Sequence, residues 1–189
     1  MFIQTEATPN PATLKFLPGR DVLVGEPRDF RSVEASANSP LAQGLFAISG
    51  VTGVFLGSDF ISVTKDDTNW AHIKPAILGV IMDHFLSGKP VIVEGGLDVA
   101  NFDEVDEFFE EEDSETVEVI KELISTRVRP AVAMDGGDIT FKGFRDGVVY
   151  LNMKGACSGC PSSTATLKHG VQNLLRHFVP EVQEVEAVM

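Results

Sequence analysis

A run of acidic residues divides this chain into two parts. Between Asp98 and Glu115 lie ten acidic residues and no lysine or arginine. The whole chain carries a net charge of −13, so the rest of it carries only −3. Like charges at this density repel one another and stay hydrated, which predicts an acidic linker at residues 98–113. The acidic residues are Asp98, Asp103, Glu104, Asp106, Glu107, Glu110, Glu111, Glu112, Asp113 and Glu115.

Apolar residues within the linker leave a second interpretation open. Phe102, Val105, Phe108 and Phe109 are spaced nearly as on one face of a helix. The alternative is therefore that the segment docks as a short helix on a partner or on one of the two domains.

Composition limits the surfaces that the chain offers. Fifteen basic against 28 acidic residues argue against nucleic acid or an anionic membrane as the main partner. No stretch reaches the about 18 consecutive apolar residues of a membrane span. Only two cysteines and a start unlike a signal or transit peptide predict a reducing compartment. We expect a bacterial cytoplasm, with the mitochondrial matrix as the alternative for a processed form.

The first part, residues 1–97, is predicted to be a small α+β domain. Prolines in Thr8-Pro9-Asn10-Pro11 favour a turn between two strands, and Gly57-Ser58-Asp59 predicts a hairpin. Pro75 is expected to kink the second helix or to mark its true start. The predicted strands are Phe2–Thr5, Ala12–Phe16, Val51–Leu56 and Phe60–Thr64, and the predicted helices are Ser39–Ile48 and Trp70–Leu86.

The second part, residues 114–189, is also predicted to be an α+β domain, in the order helix, hairpin, helix, strand. Its first helix carries an apolar stripe from Val117 to Val128, and Pro130 is expected to stop or bend it. Pro180 ends the second helix. The predicted strands are Asp138–Phe144, Val148–Met153 and Val182–Val188.

The residues that carry chemistry lie where the second of these strands turns into the second helix. Cys157 and Cys160 form a Cys-x-x-Cys pair, and Gly155 and Gly159 permit unusual backbone angles around them. Pro161 fits the first position of the helix. Free N–H groups at the helix start favour thiolate over thiol. The pattern therefore predicts two thiolates on one exposed loop.

Two thiols are half of what a tetrahedral zinc or an iron–sulfur cluster requires, since each is usually held by four ligands. His169 and His177, on the following helix, are predicted to be surface residues. Two copies related by a twofold axis bring four cysteines together, so a shared site across a dimer is expected. Lys154, beside the loop, is predicted to be a solvated lysine, a counter-charge for the bound group or a charge that steers acidic partners.

Two motifs resemble a known family. The stretch from Gly155 to Pro161, preceded by Met134-Asp135-Gly136-Gly137-Asp138-Ile139, resembles the NifU C-terminal domain of Nfu-type iron–sulfur scaffold and carrier proteins. The opening from Gln4 to Phe16 is similar to the Nfu N-terminal domain. Together the resemblances cover both parts of the chain.

The resemblance implies a carrier rather than an enzyme. It implies a labile [4Fe–4S] cluster, or alternatively a [2Fe–2S] cluster, held between two subunits by Cys157 and Cys160 of each. The implied partners are the upstream assembly machinery, a second copy of the chain, and apo iron–sulfur proteins that receive the cluster. Residues 135–138 are assigned a structural role, with glycines at a turn and carboxylates capping nearby amides.

Two other functions stay open. A thiol–disulfide oxidoreductase uses Cys157 and Cys160 alone, but its motif opens a helix in a βαβ unit, which the order of elements does not predict. The other is a structural zinc ion held across a dimer. No serine hydrolase triad or phosphate-binding loop is recognisable in the sequence.

Overall fold

Each half of the chain folds around its own sheet. The computed structural model describes residues 1–95, 107–159 and 161–188, with the backbone alone at 161–163. The chain divides into two compact units, Met1–Phe102 and Asp103–Met189. Both contain helices and a sheet, which confirms the α+β prediction. Of the predicted linker, residues 98–106 lie outside the described residues.

The first unit has a five-stranded antiparallel sheet in the order β1-β2-β5-β4-β3. Pro75 lies inside its second helix and does not mark that helix's start. The strand β3 was not predicted, because three residues carry no periodic signal. The elements are β1 Gln4–Ala7, β2 Thr13–Leu17, β3 Arg28–Phe30, α1 Pro40–Phe46, β4 Val51–Leu56, β5 Ile61–Lys65 and α2 Trp70–Ser87, with a 3-10 turn at Glu34–Ser36.

Side chains from both helices and one face of the sheet form the core of this unit. Ile73, Ile77 and Ile81 recur every four residues along α2 and are all buried. Alternate strand residues such as Val54 and Leu56 join the same cluster. Local hydrogen bonds fix the helix starts: Ser39 accepts from the backbone N–H of Ala42, and Asn69 from that of Ala71.

His84 lies on the buried side of α2, and its Nε2 has no hydrogen-bond partner in the described part of the chain. Burial lowers the pKa of His84 below its usual 6.5, and the nearby Lys89 lowers it further. The imidazole therefore stays neutral in the folded unit at a pH where it takes up a proton in the unfolded chain. Acid thus favours unfolding through this residue.

We expect the stability of the first unit to fall as the pH drops from 6.5 through the lower folded-state pKa of His84. Denaturant unfolding followed by Trp70, the chain's one tryptophan, measures this unit. The variant His84→Leu should lose part of the acid sensitivity. His72, exposed on the same helix, provides the control, and His72→Gln should keep the wild-type pH profile. Equal profiles for the His84 and His72 variants would contradict the assignment.

The second unit has a three-stranded sheet in the order β6-β7-β8. The hairpin partners β6 and β7 are antiparallel, whereas β8 is parallel to β7. Its elements are a 3-10 turn at Glu111–Asp113, α3 Ser114–Leu123, a π-helical turn Ile124–Val128, α4 Arg129–Met134, β6 Gly137–Arg145, β7 Val148–Gly155, α5 Pro161–Phe178 and β8 Glu184–Val188.

The parallel pairing corrects one step of the sequence argument. The strands β7 and β8 with the connecting helix α5 form a βαβ unit, which the order hairpin, helix, strand did not lead us to expect. Because the second unit does contain a βαβ unit, the order of its elements no longer argues against a thiol–disulfide oxidoreductase.

Pro130 neither stops the first helix of this unit nor leaves it regular. The chain remains helical from Ser114 to Met134, but the turn Ile124–Val128 directly before Arg129 is π-helical. A proline inside a helix lacks an N–H and crowds the carbonyl four residues earlier. The wider turn accommodates Pro130, which then stands in the first turn of α4.

None of the helices in the described ranges combines the length and the apolar character needed to cross a bilayer.

Candidate metal centre

The open end of the β6–β7 hairpin brings two glycine-containing segments together. Gly137, the first residue of β6, pairs with Gly155, the last residue of β7. The contact extends past the strands, where the N–H of Ala156 donates to the carbonyl of Gly136 at 3.2 Å. The turn that follows α4 therefore lies directly beside the loop that carries the cysteines.

Cys157 is packed into this junction. Cys157 is only 5% exposed and belongs to the core of the second unit. A Cβ placed on Gly137 would lie 2.5 Å from the Cys157 Sγ and 2.8 Å from the carbonyl oxygen of Lys154. Because real Cβ atoms do not approach so closely, only glycine fits beneath the sulfur.

Hydrogen bonds within the loop fix its path. The N–H and the Oγ of Ser158 both donate to the Gly155 carbonyl, at 3.1 and 2.9 Å. Thr164, one turn into α5, donates its Oγ1 to the Cys157 carbonyl at 3.1 Å. Gly155 and Gly159 have positive φ angles of 63° and 76°, as predicted from their flexibility. Sequence reasoning missed Thr164, since a threonine in a first helical turn carries no distinctive signal.

The protonation state of Cys157 differs from the prediction. Burial, together with the smaller effect of the negative charges of Asp135 and Asp138, raises the pKa of its thiol to about 12. We predicted an exposed thiolate stabilised by the helix start. The thiol instead packs into the core over Gly137, where loss of hydration outweighs the weak field of the helix end.

The other predicted site residue, Cys160, lies outside the described residues. His169 and His177 are exposed, as predicted. Within the described ranges, no group of three or more His, Cys, Asp or Glu side chains is placed to hold a metal ion.

Asp138 forms a two-pronged ion pair with Arg129 at the base of the site. Nε and Nη2 of Arg129 donate to the two carboxylate oxygens, each at 2.9 Å. The side chain of Asp138 is 7% exposed and that of Arg129 is 26% exposed. We predicted that this carboxylate caps nearby amides, and the partner that the structure gives it is the Arg129 guanidinium. The pair ties the start of α4 to the start of β6 and so holds the turn between them, which agrees with the structural role predicted for residues 135–138.

Breaking this pair should destabilise the second unit. We expect Asp138→Asn to lower its free energy of unfolding by about 2–3 kcal/mol, less than for a fully buried pair because Arg129 is partly hydrated. Glu184 is the control, since it lies about half exposed near Lys168. Glu184→Gln should cost less than about 1 kcal/mol. Thermal and denaturant unfolding followed by circular dichroism measures both, and equal losses would contradict the structural role.

Two polar residues at the end of β7 are also buried. Asn152 and Lys154 are each 6% exposed. Lys154 is therefore not the solvated lysine that was one of its predicted roles. Its role as a counter-charge or in steering acidic partners stays a prediction.

Comparison with known proteins gives the same family for both halves. The family model described as Scaffold protein Nfu/NifU N terminal matches residues 3–88, and the NifU-like domain matches residues 120–186. The NFU1 iron-sulfur cluster scaffold homolog, mitochondrial, of Drosophila virilis is 53% identical over 100% of this chain and 62% of its own length. NifU-like protein 4, mitochondrial, of Arabidopsis thaliana is 50% identical over 98% and 65%.

A human relative extends this pattern. The NFU1 iron-sulfur cluster scaffold homolog, mitochondrial, of Homo sapiens is 50% identical over 100% of this chain and 72% of its own length. The chain thus spans 62–72% of the length of these three relatives. The solution structure of a NifU-like protein from Saccharomyces cerevisiae matches 50% of this chain and 86% of its own, with 28% identity and a TM-score of 0.45. On the two family models and these relatives, the chain belongs to the Nfu/NifU family of iron–sulfur cluster scaffold proteins.

Proposed function

We propose that this protein holds a [4Fe–4S] cluster between two copies of the chain and delivers it to apo iron–sulfur proteins. Cys157 and Cys160 of each copy are the proposed ligands. The observation that carries the proposal is the position of Cys157, at a strand-to-helix junction where Gly137 leaves room for its sulfur. The chain has two cysteines, and a cluster of this type is usually held by four thiolates.

The proposed role is binding and transfer, not catalysis. A cluster held by two ligands from each of two chains is released when incoming thiolates replace those ligands in turn. The proposed source is the upstream assembly machinery, and a [2Fe–2S] cluster is the alternative cargo. Three relatives carry the word mitochondrial in their names, which supports a mitochondrial location over the bacterial cytoplasm that we first expected.

Transfer is tested by mixing cluster-loaded protein with an apo enzyme of the [4Fe–4S] class under strict anoxia. We expect the acceptor's activity to rise as the visible absorption of the donor falls, and a chelator of free iron to leave the transfer intact. Transfer blocked by the chelator would mean release into solution and would contradict direct delivery.

The two competing functions give different results in the same preparation. A thiol–disulfide oxidoreductase reduces insulin in metal-free protein through Cys157 and Cys160, whereas a cluster carrier does not require this activity. A zinc protein retains zinc when purified with or without oxygen. We expect neither insulin reduction nor stoichiometric zinc.

A further inference from the structure

Phe108, within the acidic run, docks on an edge of the second sheet. Phe108 forms a parallel bridge with Gly143 of β6. Its N–H donates to the Lys142 carbonyl at 3.1 Å, and its carbonyl accepts from the N–H of Phe144 at 2.9 Å. Among the described strands of this sheet, none lies on this side of β6. Phe108 therefore acts as a one-residue strand on an open sheet edge.

The edge is shaped to receive an aromatic ring. A Cβ on Gly143 would lie 2.5 Å from the Phe108 ring, so the missing side chain provides the space. The Tyr150 ring lies 5.1 Å from the Phe108 ring, and the Arg145 guanidinium lies 5.2 Å from its centre. We call the surface formed by Gly143, Arg145 and Tyr150 the aromatic slot. It combines ring packing with a cation–π contact.

Charge favours an acidic occupant. Glu107, directly before Phe108, forms an ion pair with Lys121 of α3. Arg145 adds a second positive charge at the slot. The segment that occupies the slot belongs to the most acidic part of a chain with a net charge of −13. The positive charges at the slot therefore attract an acidic segment, although the net negative charge of the whole protein repels one.

The next residue provides a contrast within the same segment. Phe109 is 41% exposed, whereas Phe108 is partly buried on Gly143. One ring and two backbone hydrogen bonds hold the segment at the edge, as in peptides that recognise a sheet edge by adding a strand. Such a small contact is one that a competing segment can replace.

We propose that the aromatic slot is a peptide-docking site, which recognises an extended acidic segment carrying one phenylalanine. Residues 107–109 of the chain occupy it in cis, and a partner protein presenting a segment of the same chemistry displaces them. The proposal goes beyond cluster binding and does not depend on it, because no residue of the slot is a proposed cluster ligand.

The probe is a fluorescent peptide with the sequence of residues 106–113, titrated onto the full chain. We expect the variant Phe108→Ala to bind it about tenfold more tightly than wild type, which must first release its own segment. The variant Phe109→Ala should bind like wild type. Adding Gly143→Val to Phe108→Ala should abolish binding, because the new side chain fills the slot.

Peptide variants test which phenylalanine ring the aromatic slot binds. A peptide with alanine at the Phe108 position should not bind, whereas one with alanine at the Phe109 position should. Binding that survives Gly143→Val, or no binding to Phe108→Ala, would overturn the proposal. Dimers of Phe108→Ala that form through the β6 edge in place of peptide binding would also overturn it.

A second measurement requires no variant of the protein. A peptide with a photoreactive phenylalanine analogue at the Phe108 position is illuminated with the wild-type chain at high peptide concentration. We expect crosslinks on β6 or β7 near Gly143 and Tyr150. Crosslinks elsewhere, or none, would contradict the slot even if the Phe108 variant failed to fold.

Discussion

Replacing Cys157 with alanine is expected to abolish cluster binding while both units stay folded. In the proposed arrangement each chain supplies two of four thiolate ligands, so the loss of one from each chain leaves half the set. Iron and sulfide after anaerobic reconstitution should fall to the background of unspecific binding. Replacing Cys160, the other proposed ligand, with alanine should give the same loss of iron and sulfide.

Stability should change little in the same variant. Removing one buried sulfur leaves a small cavity in the core of the second unit, which should cost about 1 kcal/mol. Ser158→Ala is the control within the loop, since it removes a hydrogen bond to Gly155 but no thiol. It should retain the cluster. Equal loss of iron in both variants would show that loop shape, and not the thiol, decides binding.

The second large effect is expected for Gly137→Ala. Its Cβ would lie within 3.1 Å of three atoms, the Cys157 Sγ and N and the Lys154 carbonyl oxygen. Two of these belong to the backbone and cannot rotate away. We expect the second unit to lose about 1–3 kcal/mol of stability. Cluster occupancy should fall several-fold, because Cys157 must move to relieve the contact.

Gly170 is the matched control for this variant. It lies exposed in α5, and a Cβ there meets no atom within 4 Å. Gly170→Ala should leave cluster binding unchanged and raise stability by up to about 1 kcal/mol, as replacing glycine inside a helix does. If Gly137→Ala kept the wild-type cluster occupancy and stability, the close packing beneath the Cys157 sulfur would not be needed for either.

Much of the fold was predictable because its signals are local. Alternating apolar residues placed most strands within two residues, and Pro161 correctly marked the start of α5. The parallel pairing of β7 with β8 was not predictable, since pairing depends on contacts between distant residues. The π-helical turn before Pro130 was missed because a proline signals an obstacle without saying how the chain accommodates it.

The site was predictable in its residue types and not in its packing. Both glycine-rich motifs were identified from the sequence, but their contact depends on the register that pairs Gly137 with Gly155. Burial of Cys157 follows from that register, so the sequence alone suggested an exposed thiolate. The ion pair of Arg129 with Asp138 was likewise invisible, because the two residues lie nine positions apart in different elements.

The most direct test of the account is the amount of iron and acid-labile sulfide per chain, measured with the solution mass under strict anoxia. We predict one [4Fe–4S] cluster per two chains and a dimer that dissociates when the cluster is removed. A cluster retained on a single chain, or protein that never binds iron, would contradict it.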